Sequence, residues 1–179
     1  MNPDNFGPIK QIGYLVDDLD ASVNAWMVHT GLGPWLQIKN IPLTCVYKGE
    51  PSVPMIDIGL AYRGDVQIEL IRQTNDAPSP YRQYFIDGRM GLHHIAHLSD
   101  NVDADIEKAE AMGLDAVCDI KMPTGGRYAY LQNAALGEAV LIELIDNNQM
   151  NQDLFKSGIE AAVNWDGARE ITVIDFAEM

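Results

Sequence analysis

The sequence predicts an α+β protein in which two βαβββ modules form one curved mixed sheet, followed by a C-terminal helix and strand. Two observations predict this fold: the chain repeats itself, and each copy alternates between strand-like and helix-like patterns. A third, an apolar content of 47% over 179 residues, indicates one domain with a sizeable core. We expect residues 8–76 to form the first module, 77–90 a linker, 91–147 the second module and 148–179 an extension.

The repeat has two parts. Segments that begin at Gln11 and His94 align over 13 residues without a gap, and five of these positions are identical. Residues 66–71 and 140–145 then share five of six residues. The second pair of segments is separated by fewer residues than the first, so the second copy has the shorter internal connections.

Each copy begins with a short apolar strand and continues into an amphipathic helix, over residues 21–30 and 104–112. More strand-like segments follow each helix. The residues expected to cap the helices are Asp20 and Asp103 at the start and Gly31 and Gly113 at the end. The predicted strands are 10–16, 35–38, 44–48, 55–62 and 66–72 in the first copy, and 93–99, 116–121, 127–132 and 139–146 in the second.

Two regions lie outside the repeat. Residues 74–90, rich in Pro, Asp and Tyr, connect the copies and are expected to hold a helical turn at 81–85. After the second copy, residues 153–163 have a helical pattern and 170–175 a strand pattern. We expect this extension to cover a sheet edge or a dimer surface.

Two carboxylates lie in the middle of otherwise apolar strands. Glu69 and Glu143 occupy equivalent positions of the repeat, each between apolar neighbours. Because side chains alternate between the two faces of a strand, each carboxylate points to the face opposite to that of its immediate neighbours. A buried carboxylate is costly unless it is protonated, paired with a cation or bound to a metal. The repeat therefore duplicates an unfavourable feature, which favours a functional reason for it.

The first strands carry a second such pair, Gln11 and His94. A single strand histidine is usually a core residue and a single strand glutamate usually faces solvent, but four potential metal ligands at repeated positions favour one divalent-metal site. His93 and His97 have the opposite strand parity to His94 and are expected to be packing or second-sphere residues. The predicted ligands are Gln11, Glu69, His94 and Glu143.

Composition excludes several classes of partner. The formal net charge of −14 disfavours binding to nucleic acid or to anionic lipid. No apolar stretch approaches the roughly 20 residues that a membrane span needs, and the N-terminus has no apolar signal core. We therefore expect a cytoplasmic protein.

These motifs resemble the vicinal-oxygen-chelate, or glyoxalase-like, superfamily over residues 8–147. The resemblance is carried by residues 11–20, by the Gly-Leu-His-His-Ile-Ala-His segment at 91–97 and by the two Ile-Glu-Leu-Ile strands. It implies a cup formed by both modules, with one metal ion at the four predicted positions. Gln at the first position resembles the ligand set of animal-type glyoxalase I, and the Gly-Leu-His-His segment resembles methylmalonyl-CoA epimerase.

The implied chemistry is proton transfer next to a carbonyl, through an enediolate of a substrate whose two adjacent oxygens chelate the ion. The resemblance favours Glu143 as the base with Glu69 as its partner, although the residues themselves treat the two as equivalent. The oxygen-rich ligand set suits Zn, Ni, Co, Mn or Mg. The alternatives are a metal-free small-molecule-binding protein and a ring-cleaving dioxygenase, which is disfavoured because only one histidine occupies a ligand position.

The substrate side of the site is less constrained by the sequence. Arg127 follows a glycine turn and is a candidate for binding an anionic group. Tyr130, Tyr47 and Trp35 are candidates to line the cavity. A lyase or isomerase acting on a small carbonyl compound, and assembled as a homodimer, is what the resemblance implies.

Overall fold

In the computed structural model, which describes residues 5–122, 125–133, 135 and 140–178, the strands form one curved mixed sheet. The order of its eleven described strands is β11-β2-β5-β6-β1-β7-β10-β9-β8-β3-β4. The strands are β1 Gln11–Leu15, β2 Trp35–Pro42, β3 Thr44–Tyr47, β4 Glu50–Ser52, β5 Met55–Arg63, β6 Val66–Gln73, β7 Gly91–Ser99, β8 Asp115–Lys121, β9 Arg127–Gln132, β10 Leu141–Asp146 and β11 Ile171–Asp175. The helices are α1 Leu19–Thr30, α2 Pro80–Ile86, α3 Val102–Ala111 and α4 Gln149–Asn164, and a 3-10 turn spans Phe176–Glu178.

The sheet has an internal two-fold relationship that follows the sequence repeat. At its centre, β1 runs antiparallel to β7. On either side, β6 is parallel to β1, and β10 is parallel to β7. The predicted α+β fold with two repeated halves is therefore confirmed. The last strand of each repeat lies beside its own first strand, so all four predicted ligands lie on the four central strands.

The outer face of the sheet is covered by α1 and α3. Val23 and Met27 of α1 are buried against Trp35 and Leu70 in one apolar cluster, and α3 buries Ala109 in the equivalent cluster of the second half. This packing leaves the other, concave face of the central strands available for the site. None of the described helices is long and apolar enough to cross a membrane.

The helix ends differ from the prediction at their start. Asp18 and Asn101 are the N-caps, and their side chains accept hydrogen bonds from backbone amides three residues later. Asp20 and Asp103 were predicted for this role, which is wrong: both lie in the first helical turn, where a negative charge complements the helix dipole. Gly31 ends α1 in the left-handed conformation (φ 62°), as predicted.

The β3–β4 hairpin lies in the second half of the sheet, although its residues belong to the first repeat. Its sequence lies in the first repeat, but β3 pairs antiparallel with β8 of the second repeat, through contacts such as Cys45 with Ile120. The hairpin thus extends the second half of the sheet at its edge. This crossing was not predicted, because strand patterns do not specify their partners.

The C-terminal extension has two separate places in the fold. Strand β11 pairs in parallel with β2 at one edge of the sheet. Helix α4 instead packs on the concave face, with Phe155 against the ring of Tyr62 at a centroid distance of 5.7 Å. The helix and strand predicted at 153–163 and 170–175 are confirmed, and the helix begins four residues earlier, at Gln149.

Candidate functional site

Three polar side chains from both halves of the sheet converge on the Nε2 atom of a fourth, His94. Gln11 Oε1 lies 2.9 Å from this atom, Glu143 Oε2 3.2 Å and Glu69 Oε2 3.5 Å. All four side chains are largely removed from solvent, and Glu69 is the most exposed at 12%. The structure therefore brings together all four residues predicted as ligands.

The spacing of these atoms is compatible with the coordination shell of one divalent ion. Donors bound to an ion at about 2.1 Å lie roughly 3.0 to 3.4 Å from one another. Among the described residues, buried Glu143 Oε2 has no hydrogen-bond partner apart from its 3.2 Å contact with His94 Nε2, so it has a lone pair to offer a cation. Within the described residues, no three His, Cys, Asp or Glu side chains already have the geometry of a formed metal site. The donors must therefore rotate from their mutual contacts to bind one.

Each first-strand residue faces a small residue on the other central strand. Gln11 is opposite Ala96, and His94 is opposite Gly13. A Cβ atom at position 13 would overlap the His94 imidazole. Because Gly13 and Ala96 are equivalent in the repeat, each copy makes room for the polar side chain of the other, and the larger ring requires the glycine.

Burial and mutual charge raise the pKa values of Glu69 and His94. Burial raises the pKa of Glu69 to about 8; His94 opposes this shift and Glu143 adds to it. Burial acts to lower the pKa of His94, but the carboxylates of Glu143 and Glu69 outweigh it and raise that pKa above 6.5. A carboxyl group with a pKa near 8 can gain and lose a proton at neutral pH, as proton-transfer catalysis requires.

The raised pKa values predict that the metal-free protein loses stability as the pH rises from 6.5 to 8. Glu69 and His94 retain protons in the folded state that the unfolded chain has released, so their stabilising contribution is lost as the pH rises through their folded pKa values. We expect the free energy of unfolding to be about 1 to 2 kcal/mol lower at pH 8. Urea unfolding with a chelator present measures this difference.

The variant Glu69→Gln is the control for this pH dependence. It removes one of the two titrating groups, so the free energy of unfolding should change less with pH. Below pH 6.5, His93 makes the free energy of unfolding rise with pH, because burial lowers its pKa well below its usual value. The comparison is therefore restricted to pH 6.5 and above. A free energy of unfolding that rises between pH 6.5 and 8 would contradict the assigned shifts.

A chain of hydrogen bonds determines which way the amide of Gln11 points. The hydroxyl of Tyr62 donates to the backbone carbonyl of Leu154 at 3.3 Å and accepts a bond from Nε2 of Gln67. Oε1 of Gln67 in turn accepts from Nε2 of Gln11 at 2.6 Å. Because a backbone carbonyl can only accept, this order of donors leaves Gln11 Oε1 facing His94.

His93 also reaches the site, although strand alternation predicts it on the opposite face. The expected face is wrong because β7 contains a bulge: Gly13 pairs with His94 but Tyr14 pairs with Leu92, so His93 has no partner on β1. The bulge turns its ring towards its neighbour, and the Nδ1 atoms of the two histidines are 2.9 Å apart. The contact of His93 with His94 agrees with the expected packing or second-sphere role.

This contact has a consequence for the proton on His94. If His94 binds an ion through Nε2, its proton must lie on Nδ1, where His93 is the group positioned to accept it. Burial lowers the pKa of His93 well below 6.5, which keeps that ring neutral and able to accept. His97 is placed elsewhere, with Nδ1 2.9 Å from the carbonyl oxygen of Gly7.

A cavity of about 100 Å³ lies against the polar cluster and is lined by Gln11, Glu69 and Glu143. The rest of its described wall is mostly aliphatic and aromatic, from both halves of the sheet. Helix α4 closes part of it with Leu154 and Phe155. The polar residues and the cavity together have the form of a small-molecule site.

A sequence profile for the Glyoxalase/Bleomycin resistance protein/Dioxygenase superfamily matches residues 10–130, which is more than half of the chain. The chain belongs to this superfamily. The resemblance predicted from the two repeats is thereby confirmed. No curated protein sequence matches the chain significantly.

Solved structures similar to this superfamily member confirm the fold. The hypothetical protein BH1468 from Bacillus halodurans C-125 is 18% identical with a TM-score of 0.57, over 79% of this chain and 95% of its own. A methylmalonyl-CoA epimerase, in selenomethionine form, is 23% identical with a TM-score of 0.52, over 83% and 100%. The methylmalonyl-CoA epimerase of Mycobacterium tuberculosis is 18% identical with a TM-score of 0.57, over 86% and 96%. At these identities the similarity establishes the fold alone.

Of the predicted substrate-binding residues, Tyr130 lines the cavity and Arg127 does not. Arg127 lies on the outer side of β9, where it forms ion pairs with Asp103 at 2.6 Å and Asp119 at 3.0 Å. Strand alternation explains the difference, because positions 127 and 130 are an odd number of residues apart. The structure therefore does not bring the predicted anion-binding arginine to the cavity.

The other two candidates also lie away from the cavity. Trp35 is buried on the helix-covered side of the sheet, where its indole nitrogen donates to the carbonyl of Leu32 at 2.8 Å. Tyr47 lies in β3, with the ammonium group of Lys48 5.2 Å from its ring centroid. Neither aromatic residue is part of the cavity lining.

Sequence reasoning missed most of the residues that line the cavity, among them the polar residues Gln67, Tyr128 and Asn151. Gln67 and Tyr128 share strand parity with Glu69 and Tyr130, so a strict count along each strand would have found them. Asn151 comes from α4, and no sequence pattern connects that helix to the site. Its side chain accepts from the Tyr128 hydroxyl at 3.1 Å.

Proposed function

We propose that the protein is a divalent-metal-dependent isomerase, epimerase or lyase that moves a proton next to a carbonyl group of a small substrate with two adjacent oxygens. The observation that carries this proposal is the convergence of Gln11, Glu69 and Glu143 within 3.5 Å of His94 Nε2. A carboxylate with a pKa near 8 in the same cluster supports proton transfer as the reaction.

Gln11, Glu69, His94 and Glu143 are the residues that would hold the ion, which we propose to be Zn, Ni, Co, Mn or Mg. When bound, such an ion supplies Lewis-acid polarisation of a carbonyl and stabilises negative charge on its oxygen. Two carboxylates among the ligands offset the charge of a dication. A single histidine at these positions disfavours the two-histidine iron site of ring-cleaving dioxygenases.

The proton is handled by the two carboxylates. Glu143 is assigned as the base because it lines the cavity and its buried Oε2, apart from the 3.2 Å contact with His94 Nε2, has no hydrogen-bond partner among the described residues. Glu69, whose protonated form is favoured by burial, is assigned as the group that holds or returns a proton. Return to the same carbon gives epimerisation, and return to the adjacent carbon gives isomerisation.

The proposal is tested by two measurements on protein purified without chelator. Elemental analysis should find close to one divalent ion per chain, and NMR in D₂O should show exchange of the carbon-bound protons of hydroxyacetone. A chelator should remove both signals, and one of the five named ions should restore them. A protein that retains none of these ions cannot carry the proposed reaction.

A second candidate, a metal-free small-molecule-binding protein of the same fold, is favoured by one observation. The four polar residues already contact one another, and His94 Nε2 is hydrogen-bonded to Gln11. The same elemental analysis decides between the two functions. Binding of a small ligand without any retained ion would support the binding protein.

The orientation of Gln11 provides a further prediction. Gln67→Leu removes the acceptor for Gln11 Nε2, so the amide is no longer held with its oxygen towards His94. We expect ion affinity to fall about tenfold, as for other residues that orient metal ligands. Competition with a fluorescent chelator measures this affinity in both proteins.

The matched control is the same Gln67→Leu change in a Gln11→Ala background. There it should have little further effect on ion affinity, because the side chain that it orients is already gone. An equal loss in both backgrounds would assign Gln67 a general structural role. The homodimer predicted from the resemblance stays a prediction, which sedimentation velocity measures directly.

A further inference from the structure

We infer that the substrate is a small, uncharged α-hydroxycarbonyl or α-dicarbonyl compound that carries a short aliphatic substituent. This inference rests on the proposed function, and it adds the chemical class of the group attached to the two chelating oxygens. It comes from three properties of the cavity: its apolar wall, the absence of a cation from its described lining, and its small volume under α4.

The wall opposite the polar cluster is apolar on several sides. Ile58 and Leu60 of β5 line it from the first half of the sheet, and Ile120 of β8 lines it from the second half. Leu154 and Phe155 of α4 complete the lining. A hydrocarbon substituent placed here leaves water for an apolar environment, which contributes about 0.8 kcal/mol for each methylene group.

The charges around the cavity oppose an anionic substituent. Among the described residues that line it, none is Lys or Arg, whereas Glu69 and Glu143 are both present. The nearest sequence candidate, Arg127, is held outside by Asp103 and Asp119. A carboxylate or phosphate on the substituent would therefore be buried without a partner, which is strongly unfavourable.

Helix α4 limits the length of the substituent. It is held over the concave face by the hydrogen bonds of Tyr128 to Asn151 at 3.1 Å and of Tyr62 to the Leu154 carbonyl at 3.3 Å. Gly158 lies so close to the Tyr62 ring that a Cβ atom there would overlap it. The cavity of about 100 Å³ is smaller than a cavity of roughly 150 Å³ that accommodates benzene, which favours a short aliphatic substituent over an aryl ring.

A series of hydroxamic acids tests the inference, because these compounds present two adjacent oxygens to a metal ion without being turned over. Isothermal titration of the ion-loaded protein compares acetohydroxamic, butanohydroxamic and octanohydroxamic acids with succinic monohydroxamic acid. From acetohydroxamic to butanohydroxamic acid, affinity should rise about fourfold for each added methylene. Octanohydroxamic acid should bind more weakly than butanohydroxamic acid, because α4 blocks the longer chain.

The effect of a negative charge on affinity is tested with two hydroxamic acids of equal chain length. Succinic monohydroxamic acid carries a carboxylate where butanohydroxamic acid has a methyl group, and it should bind at least about tenfold more weakly. Equal or tighter binding of the carboxylated compound would overturn the inference. So would affinities that do not depend on chain length.

Two variants test whether α4 limits the chain length of the hydroxamic acid that binds. Leu154→Ala enlarges the cavity and should move the tightest binding to a longer chain, whereas Val163→Ala changes an exposed residue of the same helix and should leave the order unchanged. The same order in both variants would show that α4 does not set the limit. Failure of acetohydroxamic acid itself to bind would overturn the proposed metal site. Failure of the trends alone would overturn only the substrate class.

Discussion

Replacing Glu143 with Gln is expected to lower the rate of proton exchange between substrate and solvent by about 1,000-fold, within the range for losing a general base. The buried Oε2 of this carboxylate lies 3.2 Å from His94 Nε2 and has no other hydrogen-bond partner in the part of the chain that the structure describes. The amide preserves shape and one oxygen ligand but cannot accept the proton. NMR-detected exchange of hydroxyacetone in D₂O measures the rate.

The controls separate the loss of the base from the loss of the ion. Elemental analysis and thermal unfolding of Glu143→Gln should show a folded protein that still retains the ion through its remaining donors. Glu69→Gln, at the equivalent position of the other repeat, should slow the exchange less if Glu143 is the base. An unchanged exchange rate in Glu143→Gln would remove this residue from the mechanism.

Gly13→Ala is expected to weaken ion binding by at least about 100-fold without altering any of the four donors. A methyl group at this position would overlap the imidazole of His94, so the ring has to leave its place between the two carboxylates. Overpacking of this kind also destabilises the fold, by about 1 to 3 kcal/mol. Chelator competition measures the affinity, and urea unfolding measures the stability.

The double variant Gly13→Ala with His94→Ala isolates the contact between the two residues. Without the imidazole, the methyl group has space, so the destabilisation caused by Gly13→Ala should largely disappear. If the cost of Gly13→Ala is the same with and without the ring, the close approach does not govern the site. A normal ion affinity in the single variant would likewise contradict the assignment of His94 as a ligand.

Most of the regular structure could be predicted from sequence because strand and helix periodicities are local properties. Residues 127–132, for example, were predicted as a strand and form β9 over the same residues. The first residue of each helix was harder to predict, because several neighbouring acidic residues can act as the N-cap. Asp18 takes this position in α1, and Asp20 lies in the first turn.

The four-residue cluster could also be predicted, and the reason is the repeat. The alignment of Gln11 with His94 and of Glu69 with Glu143 places one member of each pair on each half of a two-fold structure. Strand parity then assigns the faces wherever the strand is regular. At His93 the bulge in β7 breaks that regularity, and parity gives the wrong face.

The sequence by itself therefore determined the two-module fold, its superfamily and the grouping of four potential ligands. Only the tertiary structure decided the surroundings of that group: the hydrogen-bond chain through Gln67 and Tyr62, the pairing of Arg127 with outer-face carboxylates, the crossing of the β3–β4 hairpin and the position of α4 over the cavity. The physical reason is that periodicity and repetition are read along the chain. Partner choice depends instead on which distant surfaces bury each other, and no local pattern records it.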